Sequence, residues 1–273
     1  MSHFYESIQQ VITDFKNNNI DSSTIGFYDD PNFLKIEQKN PEYLNNYARY
    51  VQDKEYSEEY LNKTRQVIPI IAEKLQKELI RDGRQGACID LSMLLSKILE
   101  KEGIWNYIVK GSLTISFPEK SGIEKQFFWA IDQGDFAAGH SWVVAPPFKV
   151  IDLAIKQQGS NFNQLEYIPE LIISESIETE IAQVEDIVSP LVRQYFQSQG
   201  VNSKDILPIV NPILKKVLST FKPVNVEFKN TTFKYITVAI AAPDCPLEEM
   251  VGISSEGMSA IKIYKDLVKP YLL

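Results

Sequence analysis

Three residues in this chain have the types and the order that thiol chemistry needs. Cys88 stands in Gly86-Ala87-Cys88-Ile89-Asp90-Leu91, at the start of an apolar-periodic stretch. His140 stands in Gly139-His140-Ser141-Trp142, and Asp152 closes Val150-Ile151-Asp152. A thiol can attack a carbonyl carbon, an imidazole can carry the proton, and a carboxylate can orient the imidazole. The chain has only 2 histidines. The other is His3, beside the first residue, so a Cys/His pairing has almost no freedom.

Each residue also has a plainer reading. At a helix N-terminus, unpaired N–H groups and the positive dipole end favour a thiolate at Cys88; the alternative is a small buried hydrophobe. His140 heads an apolar strand as a base or as a hydrogen-bonded structural histidine. Asp152 interrupts an apolar run, where a carboxylate is costly to bury without a partner; the alternative is a strand end facing water. The Cys88 N–H is the natural first oxyanion donor. Gln85 reads first as an exposed loop residue and second as a further donor. Trp142 reads first as a core residue and second as a wall of the site. Asp90, in the first helical turn, complements the dipole.

The elements that must position these groups follow from pattern. A helix from Cys88 to about Glu102 carries one apolar stripe, Leu91, Leu94, Leu95, Ile98 and Leu99, and stops at Gly103-Ile104. Strands are expected at Trp105–Val109, Leu113–Phe117, Gln126–Ile131, Ser141–Ala145 and Lys149–Leu153, from β-branched and aromatic content. Pro146-Pro147 breaks the last pair. A tight antiparallel hairpin turning at Pro146 sets His140 directly opposite Asp152 and on the same face. A one-residue slip would separate them. Elsewhere, helices are expected at 4–17, 58–79 (with Pro69 as a kink), 178–199, 203–221 and 259–269. Loops and short helices are expected over 21–57, and a second hairpin from 224–228 and 233–240. No repeat is present.

The bulk properties narrow the classes. Of 273 residues, 44% are hydrophobic and 23% charged, an ordinary globular balance that permits a buried site. With 28 basic and 36 acidic residues the net charge is −8, which disfavours nucleic acid and anionic membranes as partners. Two cysteines, Cys88 and Cys245, make no disulfide framework. No apolar run approaches the roughly 20 residues that span a bilayer, and residues 1–16 do not read as a secretory signal. A cytoplasmic protein is expected, with export by another route left open. Nothing has metal-ligand spacing, and no phosphate-binding glycine loop or Gly-X-Ser-X-Gly occurs. No cofactor is called for.

The ordered set Gly86-Ala87-Cys88, the helix after it, Gly103-Ile104, Val109-Lys110-Gly111, His140 with Trp142, and Asp152 resembles the transglutaminase-like superfamily. In that family a cysteine opens a helix that leads by Gly-Ile into a strand, a later histidine starts a second strand, and an aspartate lies on the next. The resemblance covers roughly residues 80–155 and implies a papain-like core. The expected fold is therefore α+β: the cysteine-bearing helix packed on an antiparallel sheet, with helical N- and C-terminal additions. The regions are 1–79 (helical), 80–157 (core) and 158–273 (helical, with a hairpin, packed on the core or apart). The expected function is acyl transfer on amide bonds of a protein or peptide substrate, as protease, deamidase or transglutaminase. Cys88 attacks, His140 takes its proton and Asp152 holds the ring. Two alternatives stay open: an inactive peptide- or protein-binding module, and an enzyme similar to arylamine N-acetyltransferases, suggested by Arg84-Gln85-Gly86-Ala87-Cys88.

Overall fold

The structure, a computed structural model, describes residues 4–5, 7–132, 139–158, 161–251 and 257–272. It is α+β, with helices around an antiparallel sheet. The N-terminal helices are α1 (Ile8–Asn17), α2 (Pro31–Glu37), α3 (Leu44–Asp53) and α4 (Glu58–Asp82). The Ser57 hydroxyl accepts the Tyr60 N–H to start α4, and left-handed Gly83 ends it, three residues beyond the expected stop.

Helix α5 (Cys88–Lys101) begins where the sequence places it. Its stripe Leu91, Leu94, Leu95, Ile98 and Leu99 is buried. Gly103, at φ 75°, lets the chain turn back. The Gly103 and Ile104 N–H groups then bond the Glu100 and Leu99 carbonyls at 3.0 and 2.8 Å. Orphan carbonyls are thereby satisfied, and Ile104 is delivered to the core.

The strands are β1 (Tyr107–Ser116), β2 (Gln126–Phe128), β3 (His140–Ala145), β4 (Phe148–Asp152), β5 (Ile172–Ser174), β6 (Val224–Phe228) and β7 (Thr231–Ala241). They form one sheet in the order β5-β4-β3-β1-β7-β6, with β2 also on β1. One edge of β1 is covered by β7 along nearly its whole length. The other is shared by β3, over Tyr107–Gly111, and β2, over Leu113–Ile115. The sheet thus draws strands from both sides of the 157/158 boundary.

Two expected strands, 105–109 and 113–117, are one strand with an irregularity at Lys110/Gly111. Gly111 is not a break. A Cβ there would lie 2.1 Å from the Ile236 carbonyl oxygen, so the glycine admits a neighbouring backbone. The expected helix 178–199 is two, α6 (Val184–Ile187) and α7 (Pro190–Ser198), because Pro190 starts a new helix after extended Val188 and Ser189. Likewise 203–221 is α8 (Ser203–Val210) and α9 (Leu214–Thr220). The C-terminal helix runs as one α-turn, Ala260–Lys262, then a wider-wound stretch, Ile263–Val268. The β6–β7 turn is tighter than expected: Lys229 and Asn230 alone make it, at φ 48° and 59°.

Two cores flank the sheet. On one side α4 and α5 pack with Ile108, Val143, Ala145 and Ile151. On the other Val109, Trp142, Val144, Val150 and Tyr235 join the N-terminal helices and the aromatic group around Phe15, Phe27 and Trp105. The sheet therefore has no open face in its centre, as the near-continuous burial of β3 records.

Candidate active site

Cys88 is the first residue of α5 and is 5% exposed. Its neighbours in the first turn have N–H groups with no intrahelical acceptor. His140 opens β3 and Asp152 closes β4, both buried. The hairpin between them is not in the expected register. Val143 faces Ile151, so Asp152 lies across from Trp142 and diagonal to His140, and the register changes again before Ala145 and Phe148. The slip is two residues. An even slip preserves the face, so the carboxylate still reaches the ring: His140 Nε2 to Asp152 Oδ2 is 2.6 Å.

Asp152 is held from two further directions. The Tyr235 hydroxyl on β7 donates to Oδ2 at 2.8 Å, and the Ala154 N–H donates to Oδ1 at 3.0 Å. Burial, reinforced by the Asp152 charge, drives the Tyr235 phenol well above its ordinary pKa, so it stays a neutral donor. Trp142 packs edge-on to Tyr235 at 5.0 Å and stacks near His140, with ring centroids 6.3 Å apart. It props the ring and Tyr235 from within the core and is not among the residues lining the cavity.

The thiol lies beside the His140 ring. Nδ1 has no partner of standard hydrogen-bond geometry, yet Cys88 is near enough to act on the ring. Burial by itself would lower the imidazole pKa. The charge and hydrogen bond of Asp152, with a smaller contribution from Cys88, outweigh it and raise the value to about 10.

Cys88 and His140 both line a cavity of about 260 Å³. The cavity lies where β2 and β3 meet β1 end to end. Gly111, Ala130, Gly139 and Ala239 contribute walls of small side chains, and Lys110 and Ser141 add polar groups. A Cβ on Gly139 would sit 2.1 Å from the Gly111 carbonyl oxygen, so bulk is excluded beside the imidazole.

Of the residues singled out from sequence, Cys88, His140 and Asp152 meet, and Trp142 supports them from behind. Gln85 is exposed and does not line the cavity, so it is no oxyanion donor in this arrangement. Asp90 pairs with Arg84 at 3.1 Å. His3 is outside the described residues. Tyr235, Lys110 and Gly111 were not singled out as site residues. The only hint of Tyr235 was its alternation with Phe233 on a strand 83 residues beyond Asp152. Comparison with protein-family models, curated proteins and solved structures finds no match to this chain. No helix among the described residues is long and apolar enough to cross a membrane.

Proposed function

We propose that this chain is a thiol-dependent acyl-transfer enzyme acting on amide bonds of a peptide or protein, with a transglutaminase-like, papain-like core. One observation carries the proposal. A cysteine at a helix start and a histidine line one cavity, and an aspartate from a third element bonds the imidazole from behind.

The chemistry follows from the groups present. With its pKa raised to about 10, His140 holds the proton at neutral pH. Cys88 attacks as a thiolate, and a sulfur–carbon bond forms at the substrate carbonyl. The carbonyl oxygen takes the negative charge beside the first-turn N–H groups of α5. His140 gives its proton to the leaving nitrogen as the carbon–nitrogen bond breaks, and a thioester remains on Cys88. Water or an amine then attacks the thioester and returns a proton to His140. Asp152, fixed by Tyr235 and Ala154, holds the imidazole at Nε2 throughout.

The test is to trap the thioester. Incubation with p-nitrophenyl acetate should release one equivalent of p-nitrophenolate in a burst. It should also add an acetyl group, removable by hydroxylamine, to the peptide that contains Cys88. Cys88→Ser should abolish both. Absence of the burst and of the acetyl group in the folded native protein would leave a groove that binds without reacting.

A further inference from the structure

The cavity beside Cys88 has an unbalanced charge. Its described lining residues include two basic side chains, Lys110 and His140, and no carboxylate. His140 is compensated from behind by Asp152. Lys110 is not: it is exposed on β1 and makes no ion pair among the described residues, although the chain carries 36 acidic residues to 28 basic ones. Several other lysines of this molecule are paired, while Lys110, like further surface lysines, makes no ion pair among the described residues. Lys97 and Lys234 each bond carboxylates at 2.9 Å, and Lys101, Lys156 and Lys269 are paired as well. A lysine lining a small cavity that has no carboxylate among its described lining residues, on a protein of net charge −8, is where an anion gains most.

The backbone fixes where that ammonium starts. Lys110 is the direct cross-strand partner of Ser141 and of Ala239, and Gly111, next to it, is the partner of His140. The lysine is thus rooted one residue from the imidazole's own partner. The remaining walls, among them Ile89, Gly111, Gly139 and Val238, offer no competing charge. The start of α5 adds its positive dipole end on the Cys88 side.

We infer that Lys110 forms an anion subsite of the cavity, selecting acyl substrates that carry a carboxylate close to the scissile bond. The inference rests on the thiol chemistry proposed above and adds the charge class of the substrate. Lys110 makes no bond in the reaction; it binds the carboxylate of the ground state and of the transition state alike, so it acts on KM more than on kcat.

Two alkylating reagents of nearly the same size separate the possibilities. Iodoacetate carries a carboxylate next to its reacting carbon, and iodoacetamide is neutral. The quantity read is the ratio of their rates at Cys88, followed by mass spectrometry, with Cys245 as the internal reference. Lys110→Met should lower the iodoacetate-to-iodoacetamide ratio at Cys88 by about fivefold, the scale of one solvated charge at contact distance. Lys110→Arg should keep the ratio, and the ratio at Cys245 should stay constant throughout. A ratio at Cys88 that is the same in the native, Met and Arg proteins overturns the subsite and leaves the thiol chemistry standing. Slow labelling of Cys88 by both reagents in the native protein overturns the thiol chemistry and the subsite together.

Discussion

Two buried polar clusters share strand β7, and they differ in what they leave unsatisfied. Lys234 and Tyr235 are consecutive. The Lys234 ammonium bonds Asp186 at 2.9 Å and the Ile181 carbonyl at 3.0 Å. Asp186 also accepts the Thr114 hydroxyl at 2.8 Å and the Gln183 N–H at 2.9 Å. Every strong donor and acceptor there has a protein partner, and the cluster pins α6 to the sheet. Tyr235 serves the other cluster, through Asp152. There one ring nitrogen is bonded, the other has no hydrogen-bond partner, and His140 and Cys88 both border a cavity. A buried polar network that is closed holds the fold together. One that ends in a nucleophile and an unspent nitrogen at an opening is arranged to meet something else.

Four substitutions or conditions break that contrast, the first having the largest effect. Asp152→Asn removes the charge that, together with the hydrogen bond it makes and the smaller effect of Cys88, offsets burial at His140. The imidazole pKa should fall from about 10 towards or below its ordinary value. The rate of Cys88 alkylation at neutral pH should drop by about a hundredfold. Asp186→Ala, in the closed cluster, should do the reverse. Lys234 would keep the Ile181 carbonyl at 3.0 Å and Glu180 at 3.4 Å, and loss of its buried carboxylate should cost about 2 kcal/mol in urea unfolding, while Cys88 labelling changes by less than about twofold, because the two clusters share no side chain.

The pH dependence of stability comes next. His140 has a folded-state pKa of about 10 against an ordinary 6.5. Its contribution is therefore complete below about pH 6.5 and lost as pH rises through about 10. The stability gap between the native protein and His140→Gln should narrow steadily over that window. The smallest effect is that of Tyr235→Phe, which deletes one hydrogen bond to Asp152. It should cost about 1 kcal/mol of stability and slow Cys88 labelling by about threefold, because the carboxylate that steadies the ring is less well held.

What could be read in advance was local. Cys88 at a helix start, the Gly103-Ile104 stop and the pairing of β3 with β4 all depend on residues within a few positions of each other, and these are the features the pattern foretells. The face shared by His140 and Asp152 survived a wrong register because the error was even. Distant pairings were not legible. Tyr235 reaches Asp152 only because β7 lies beside β1, and no periodicity reports which strand neighbours which. Strand β1 was expected in two pieces, 105–109 and 113–117, since the pattern of one strand cannot show that the Ile236 carbonyl of another presses against Gly111. Gln85 follows its first reading, an exposed loop residue: proximity in sequence to Cys88 does not turn a loop side chain towards the cavity.

The most direct measurement compares the two thiols under one reagent. Cys245 is the more exposed and Cys88 is 5% exposed, so access alone favours Cys245. If Cys88 is held against a protonated imidazole at an open cavity, iodoacetamide at neutral pH will label it about a hundred times faster than Cys245, and His140→Ala will remove the advantage. Faster labelling of Cys245, or a Cys88 rate indifferent to His140→Ala, would contradict the account at its centre.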